Sequence, residues 1–262
     1  MIRYLRLYAR FVEFSLMRAM EFRIDFFFRI IMDVIYYAIN ISFFEILFLH
    51  TPILGGWTEP QVLIFVSGYL LIDAIFMTAF ANNMWMLPMH VNKGDLDYYL
   101  LRPVSSLFFL SLRDFAVSSF INLIMAIGIM IWAFRHDPEK ISALRVVLFL
   151  FWLGNGLFLY YLLRLVSILP VFWTHSGRGF DALFWTLARF MERPDRIYTG
   201  VMRVLLTTLL PFALIASFPS RILFGDTRPV LWFELFAVTL CFSLGVLVLW
   251  RKALASYSSA SS

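Results

Sequence analysis

Six stretches of this chain are apolar for long enough to cross a lipid bilayer, and no other feature restricts its fold as strongly. A membrane-crossing helix needs about 20 mostly apolar residues; the stretches lie at 24–49, 61–87, 107–134, 146–169, 199–218 and 230–250. Hydrophobic residues make up 61% of the 262 and charged residues 15%, with a mean hydropathy of +0.81. Soluble domains are nearer half apolar and a quarter charged. A sphere of this size could not hide 30 phenylalanines without large exposed patches. The solvent for most of the chain is lipid, which excludes a cytoplasmic enzyme, a disordered adaptor and a secreted disulfide scaffold. The fold class is an all-α integral membrane protein with six transmembrane helices.

Proline supports these boundaries, because it removes a helical donor and clashes with the preceding turn. Nine of the ten prolines fall outside the stretches; Pro211 falls inside the fifth, where a kink or break is expected. Residues 1–23 read as an amphipathic interfacial helix instead of a cleaved signal peptide. Arg3, Arg6, Arg10 and Glu13 recur at steps of three and four and share a face, with Leu5, Tyr8, Val12, Ser15, Leu16 and Ala19 mainly opposite. The simpler alternative is a solvated charged face leading into the first span. With the N-terminus inside, 16 Lys and Arg lie on inside segments and five outside, the bias expected of cytoplasmic flanks. Both termini are then cytoplasmic. Residues 24–250 form one six-span domain and 251–262 a cytoplasmic tail. Residues 170–198 are expected to be a cytoplasmic segment whose apolar part, 180–191, is too short to span.

Recognisable chemistry is absent. There is no phosphate-cradling GxxxxGK[ST] loop, no HExxH and no GxSxG elbow. His50, His90, His136 and His175 are scattered over four expected loops, and Cys241 is the sole cysteine, so no metal site and no catalytic residue is expected. No basic domain stands apart to bind nucleic acid; the expected surroundings are membrane lipids. Charges within the stretches are the more informative polar residues, since burying them is costly. Asp33 can pair with Arg29 four residues earlier, Arg164 can snorkel toward its helix end, and Glu45 and Glu234 sit near span ends. Asp73 lies deepest and suits a cavity or an interhelical contact.

The polar stretch 89–103 carries the strongest local signal. Gly94 permits a turn, Asp95 can cap a short helix, and Pro103 ends it. One or two helical turns would present Tyr98, Tyr99 and Leu101, either for docking into a protein groove or as an interfacial aromatic anchor. The run Gly94-Asp95-Leu96-Asp97-Tyr98-Tyr99-Leu100-Leu101-Arg102-Pro103 closely resembles a signature of six-helix permeases of the bacterial type-2 ABC exporter superfamily. Leu210-Pro211-Phe212-Ala213 with the later Phe218-Pro219-Ser220-Arg221-Ile222-Leu223-Phe224-Gly225 resembles that group's fifth-helix end and outside re-entrant turn. The tail from Trp250 through Arg251, Lys252 and Tyr257 is similar to its C-terminus.

The resemblance implies a permease subunit in the bacterial inner membrane, coupling ATP hydrolysis on a separate ATPase to export. Two permeases, identical or paralogous, would join two ATPase subunits, and ATP and magnesium would bind the ATPase, leaving no cofactor on this chain. Residues 94–103 would be the coupling element, 1–22 the interfacial helix and 217–225 the outside re-entrant element. Two other functions fit the hydropathy: a proton-coupled carrier using Asp73 and the other buried carboxylates, and a non-transporting membrane scaffold.

Overall fold

A computed structural model describes residues 2–19, 23–137, 141–226 and 228–257. Lys140 and the tail residues 258–262 lie outside the described residues, as do the side chains of Arg23 and Arg29 and therefore the expected Arg29–Asp33 pair. Helices dominate; among the described residues the sole strand-like pairing is an isolated bridge between Leu54 and Trp57.

In chain order the helices are α1 (Ile2–Ala19), α2 (Arg23–Phe48), α3 (Glu59–Phe76), α4 (Asn82–Lys93), α5 (Leu96–Leu100), α6 (Ser106–Leu112) and α7 (Val117–His136). After these come α8 (Ala143–Ile168), α9 (Val171–Thr174), α10 (Arg178–Ala188), α11 (Gly200–Thr207), α12 (Leu214–Leu223) and α13 (Pro229–Ser256). Five helical stretches are long and apolar enough to cross a membrane: Ile30–Phe48, Glu59–Lys93, Val117–His136, Ala143–Thr174 and Pro229–Ser256. The chain is an integral membrane protein. α3 is the centre of the bundle, buried around its whole circumference from Val62 to Leu70, as an all-round apolar helix must be. α7, α8 and α12 pack around it, whereas α2 leaves Phe27, Phe28, Ile31 and Met32 exposed.

The second and third stretches differ from uninterrupted helices. Between α3 and α4 the backbone widens into a π-turn at Met77–Ala81, which breaks the i→i−4 ladder. The Thr78 carbonyl there accepts the Ala116 amide at 2.9 Å. Asn83 completes the clamp: its amide donates to the Asp114 carbonyl and its carbonyl accepts the Asp114 amide, both at 2.8 Å. These bonds satisfy backbone groups in a gap between α6 and α7, so the expected single span 107–134 is two helices. α4 also runs through Pro88, which the sequence reading set outside the span.

The fifth stretch breaks at the proline where a break was expected: α11 and the segment Pro211–Leu223 are bent by 74°, with a 3₁₀ turn at Pro211–Ala213. Asp195 lies before this pair, yet it pairs with Arg203 on α11 and with Arg221 near the end of α12. The two arms therefore begin and finish at the same end of the bundle. That end also holds the α2–α3 turn, because positions 194, 196 and 197 pack beside Gly55. Gly225 lies beside Arg145 at the start of α8. The opposite end carries both described chain ends: Phe172 meets Trp250 and Tyr257 there, and α1 contacts the segment before α6. We call these the distal and terminal ends. α10 starts at the terminal end, where Gly177 packs on Pro88, and the chain reaches the distal end by Asp195. Thus 170–198 is not confined to one side, as its length of apolar sequence led one to expect; α10 and the 3₁₀ turn Arg189–Glu192 traverse the bundle.

Candidate functional site

The terminal end carries a short helix set on a sharp turn. Gly94 closes α4 with φ of 79°, a left-handed conformation that glycine adopts without steric cost. α5 follows, with two opposite faces. Leu96 is fully buried and Tyr99 is 4% exposed, while Tyr98 is 54% and Leu101 84% exposed. Tyr99 is therefore not presented outward beside Tyr98 and Leu101; it anchors the helix. Its ring packs on Phe109, and its hydroxyl contacts the His90 ring at 3.2 Å and accepts from Arg113. Burial raises the Tyr99 pKa, and the Arg113 charge opposes that shift. His90 is on α4, not in a loop. The periodicity of three that separates 96/99 from 98/101 was available in sequence, but which pair faced inward was not.

Asp95 occupies the cap position of α5 without making a side-chain cap bond; its carboxylate lies 3.7 Å from His90 Nδ1. Leu100, Arg102 and Pro103 continue the exposed surface, and Asp97 is half-buried. The Arg102 guanidinium lies 4.3 Å from the Tyr98 ring centroid. The result is an apolar-aromatic knob with charges at its rim, held by a buried face.

α1 is strapped to this knob. Arg3 donates to the Pro103 carbonyl at 3.1 Å, and the Tyr4 hydroxyl accepts the Ser105 amide at 3.3 Å. Further along, Phe11 meets Phe109 edge-on, Ser15 accepts the Phe115 amide at 3.1 Å, and Arg18 pairs with Asp114. Arg6 is exposed, and Arg10 pairs with Glu13 at 2.7 Å. The inward face is Tyr4, Leu7, Phe11 and Ser15; Leu5 and Leu16, which the helical wheel set against the arginines, are exposed.

The intramembrane charges are distributed over α2, α3 and α8. Asp73 is half-buried on α3 and pairs with no cation among the described residues. Asp33 lies on α2. Arg164 does not snorkel: it is 1% exposed, pairs with Asp181 on α10, and lies 4.8 Å and 5.4 Å from the Phe184 and Trp185 ring centroids. Sequence reading missed Asp181, because 17 positions separate the pair and only the return of α10 across the bundle joins them.

At the distal end, Pro211 opens the turn between α11 and α12, and Pro219 lies within α12. Arg221 is buried and bridges Asp195 at 3.2 Å and Asp226 at 3.0 Å. Arg228 adds two bonds of 2.7 Å to Asp226, and Arg196 reaches it at 3.5 Å. Those Arg228 bonds, with Arg221, hold the Asp226 carboxyl well below its usual range. Burial pushes Asp195 up, against the pull of Arg221 and Arg203. Gly225, with φ of 94°, makes the turn out of the hairpin. The Arg221–Asp226 spacing of five offered a sequence signal; Asp195 offered none.

Among the described residues no group of three or more His, Cys, Asp or Glu could hold a metal ion. A family model described as an ABC-2 family transporter protein matches residues 34–261. No curated protein and no solved structure matches the chain.

Proposed function

The chain belongs to the ABC-2 transporter family, and from that premise we propose that it is the permease subunit of an ATP-driven exporter in the bacterial cytoplasmic membrane. Membership makes it a non-catalytic membrane subunit whose typical partner is an ABC ATPase. The finer reading is that ATP hydrolysed on two such subunits drives export through two permeases, the second identical or paralogous. One observation carries the coupling assignment: α5 sinks Leu96 and Tyr99 into the bundle and leaves Tyr98 and Leu101 outward. A helix gripped on one face can pass a push from a docked partner to the bundle. Its strap to α1, through Arg3 and Tyr4, would carry the same displacement to the membrane surface, where the exposed Arg6 would face anionic lipid.

The topology we favour has six crossings, with α10 and its 3₁₀ turn as the fifth and the α11–α12 pair as a hairpin dipping in from the distal side. Arg193, Arg196 and Arg203 then belong outside. Twelve basic residues remain on the terminal side and eight on the distal side, a smaller bias of the same sign, which supports cytoplasmic termini. The distal arginines at 196, 203, 221 and 228 are also compensated by Asp195 and Asp226. In the transport cycle, ATP bound across a closed ATPase pair favours one arrangement of the bundles, and the bias equals its differential affinity for the two states.

The test is co-purification of the tagged chain from its native membrane in mild detergent. A P-loop ATPase should co-purify in stoichiometric amount and be lost in the Tyr98→Ala, Leu101→Ala double variant, with the unfolding temperature unchanged because both side chains are exposed. Retained association and transport in that variant would refute the docking role of α5.

A further inference from the structure

The cavity beside Arg164 has no part in the coupling role. It has a volume of about 480 Å³ and lies between α4, the last turns of α8 and the start of α10. One wall is apolar, with Trp85 and Met89; the other holds Arg164, Arg178 and Asp181. Arg164 is the informative group. It is 1% exposed, Asp181 takes its Nη2, and its Nε and Nη1 have no partner. Both of those nitrogens are closed off from solvent and the Phe184 and Trp185 rings flank the guanidinium, so among the described residues the charge of this buried cation is balanced by Asp181 through Nη2 alone, a costly arrangement. The start of α10, an eleven-residue helix, borders the same space through Gly177 and Arg178. Its first amides have no intrahelical acceptors and its dipole favours an anion. Two guanidiniums face one carboxylate, so a single negative charge would balance the wall. Of the other polar lining groups, Asn92 is engaged with the His175 carbonyl at 3.0 Å, and Ser176 offers a hydroxyl.

We propose that this cavity binds a phosphate-type oxyanion of net negative charge, without a cationic substituent, carried as the headgroup of an amphiphile whose apolar part lies along the Trp85 and Met89 wall. The headgroup oxygens accept from Arg178 and, by displacing Asp181, from Arg164 Nη2; Asp181 holds Arg164 when the cavity is empty and competes with the ligand. Such a site at the terminal end of the bundle would receive a lipid-like anion from the adjacent leaflet. Only its use in transport rests on the permease reading; binding needs neither ATPase nor nucleotide.

The experiment uses the purified full chain in non-ionic detergent, with no ATPase present. Its unfolding temperature is followed during titration with dihexanoyl phosphatidic acid, dihexanoyl phosphatidylcholine or inorganic phosphate. The expected result is a saturable rise with phosphatidic acid and none with phosphatidylcholine. Arg178→Gln should weaken the apparent affinity several-fold, and Asp181→Asn should strengthen it several-fold by removing the competing carboxylate. A purely structural Arg164–Asp181 pair would not produce that strengthening. Arg164→Gln should abolish the effect; like Asp181→Asn it breaks the buried ion pair, so Arg178→Gln, on an exposed side chain, decides where either fails to fold. Saturable stabilisation by inorganic phosphate alone, with the same variant pattern, supports the oxyanion site and overturns the amphiphile as its source. Equal responses to both lipids, or a phosphatidic acid response unchanged by Arg178→Gln, overturn the site.

Discussion

Gly156, in the middle of α8, is where α12 approaches most closely. A Cβ added there would lie 2.1 Å from the Ile215 carbonyl oxygen, whereas a carbon and a carbonyl oxygen in contact sit about 3.3–3.6 Å apart. The obstacle is backbone, so no rotamer relieves it, and Gly156→Ala must part α8 and α12 by about 1 Å. Overpacking of this kind costs about 1–3 kcal/mol, occasionally more. Gly154 is an internal control: it lies on the same helix with nothing within 4 Å of an added Cβ. Both alanines receive the same helix-propensity gain of about 1 kcal/mol, so the difference between the two variants isolates the overpacking cost. At about 2–4 °C per kcal/mol for a chain of this size, Gly156→Ala should unfold roughly 3–10 °C below Gly154→Ala. The assay is thermal unfolding of both variants in the same detergent, followed by tryptophan fluorescence. Indistinguishable unfolding temperatures would refute the close α8–α12 contact, and with it the geometry that holds the hairpin tip halfway down the bundle.

Other perturbations address the remaining elements. Asn83→Ala strips both clamp bonds from the Asp114 peptide and should cost on the order of 2 kcal/mol, read as a lower unfolding temperature. For Asp226, the native pKa lies below the unfolded value, so its stabilisation is complete above the ordinary aspartate pKa of about 3.9 and is lost as pH falls through and below it. Asp226→Asn should therefore cost about 1.5–3 kcal/mol at neutral pH and flatten the acid limb of a stability-versus-pH curve measured between pH 7 and 3; an unchanged limb would show that the distal arginines do not depend on it. Asp73→Asn should leave ATP-driven transport intact in reconstituted vesicles. Loss of transport in a folded Asp73→Asn protein that responds to a pH gradient would favour the proton-coupled carrier instead.

Hydropathy and proline placement made the class of the protein and five membrane-length helices legible, because bilayer thickness is a one-dimensional demand on consecutive residues. The stretch 94–103 was legible for a different reason: glycine, an acidic cap position and proline punctuate a short helix within a few residues of one another. Tyr98 and Tyr99 illustrate where such reading ends. Adjacent on one short helix, they are chemically identical, and only the packing of Phe109, His90 and Arg113 makes one an anchor and the other a surface. The proposed fifth crossing shows the same limit on a larger scale. Residues 199–218 are apolar enough to span and instead fold into two arms bent by 74°, while the shorter 178–192 lead from the terminal end toward the distal one. Hydropathy measures how well a segment tolerates burial; it does not measure direction. Direction came from contacts between residues far apart in the chain: Asp195 with Arg221, Gly55 beside position 194, and Gly156 against Ile215. A buried ion pair or a backbone contact is satisfied only when both partners arrive at one place, and that condition is set by the assembled bundle.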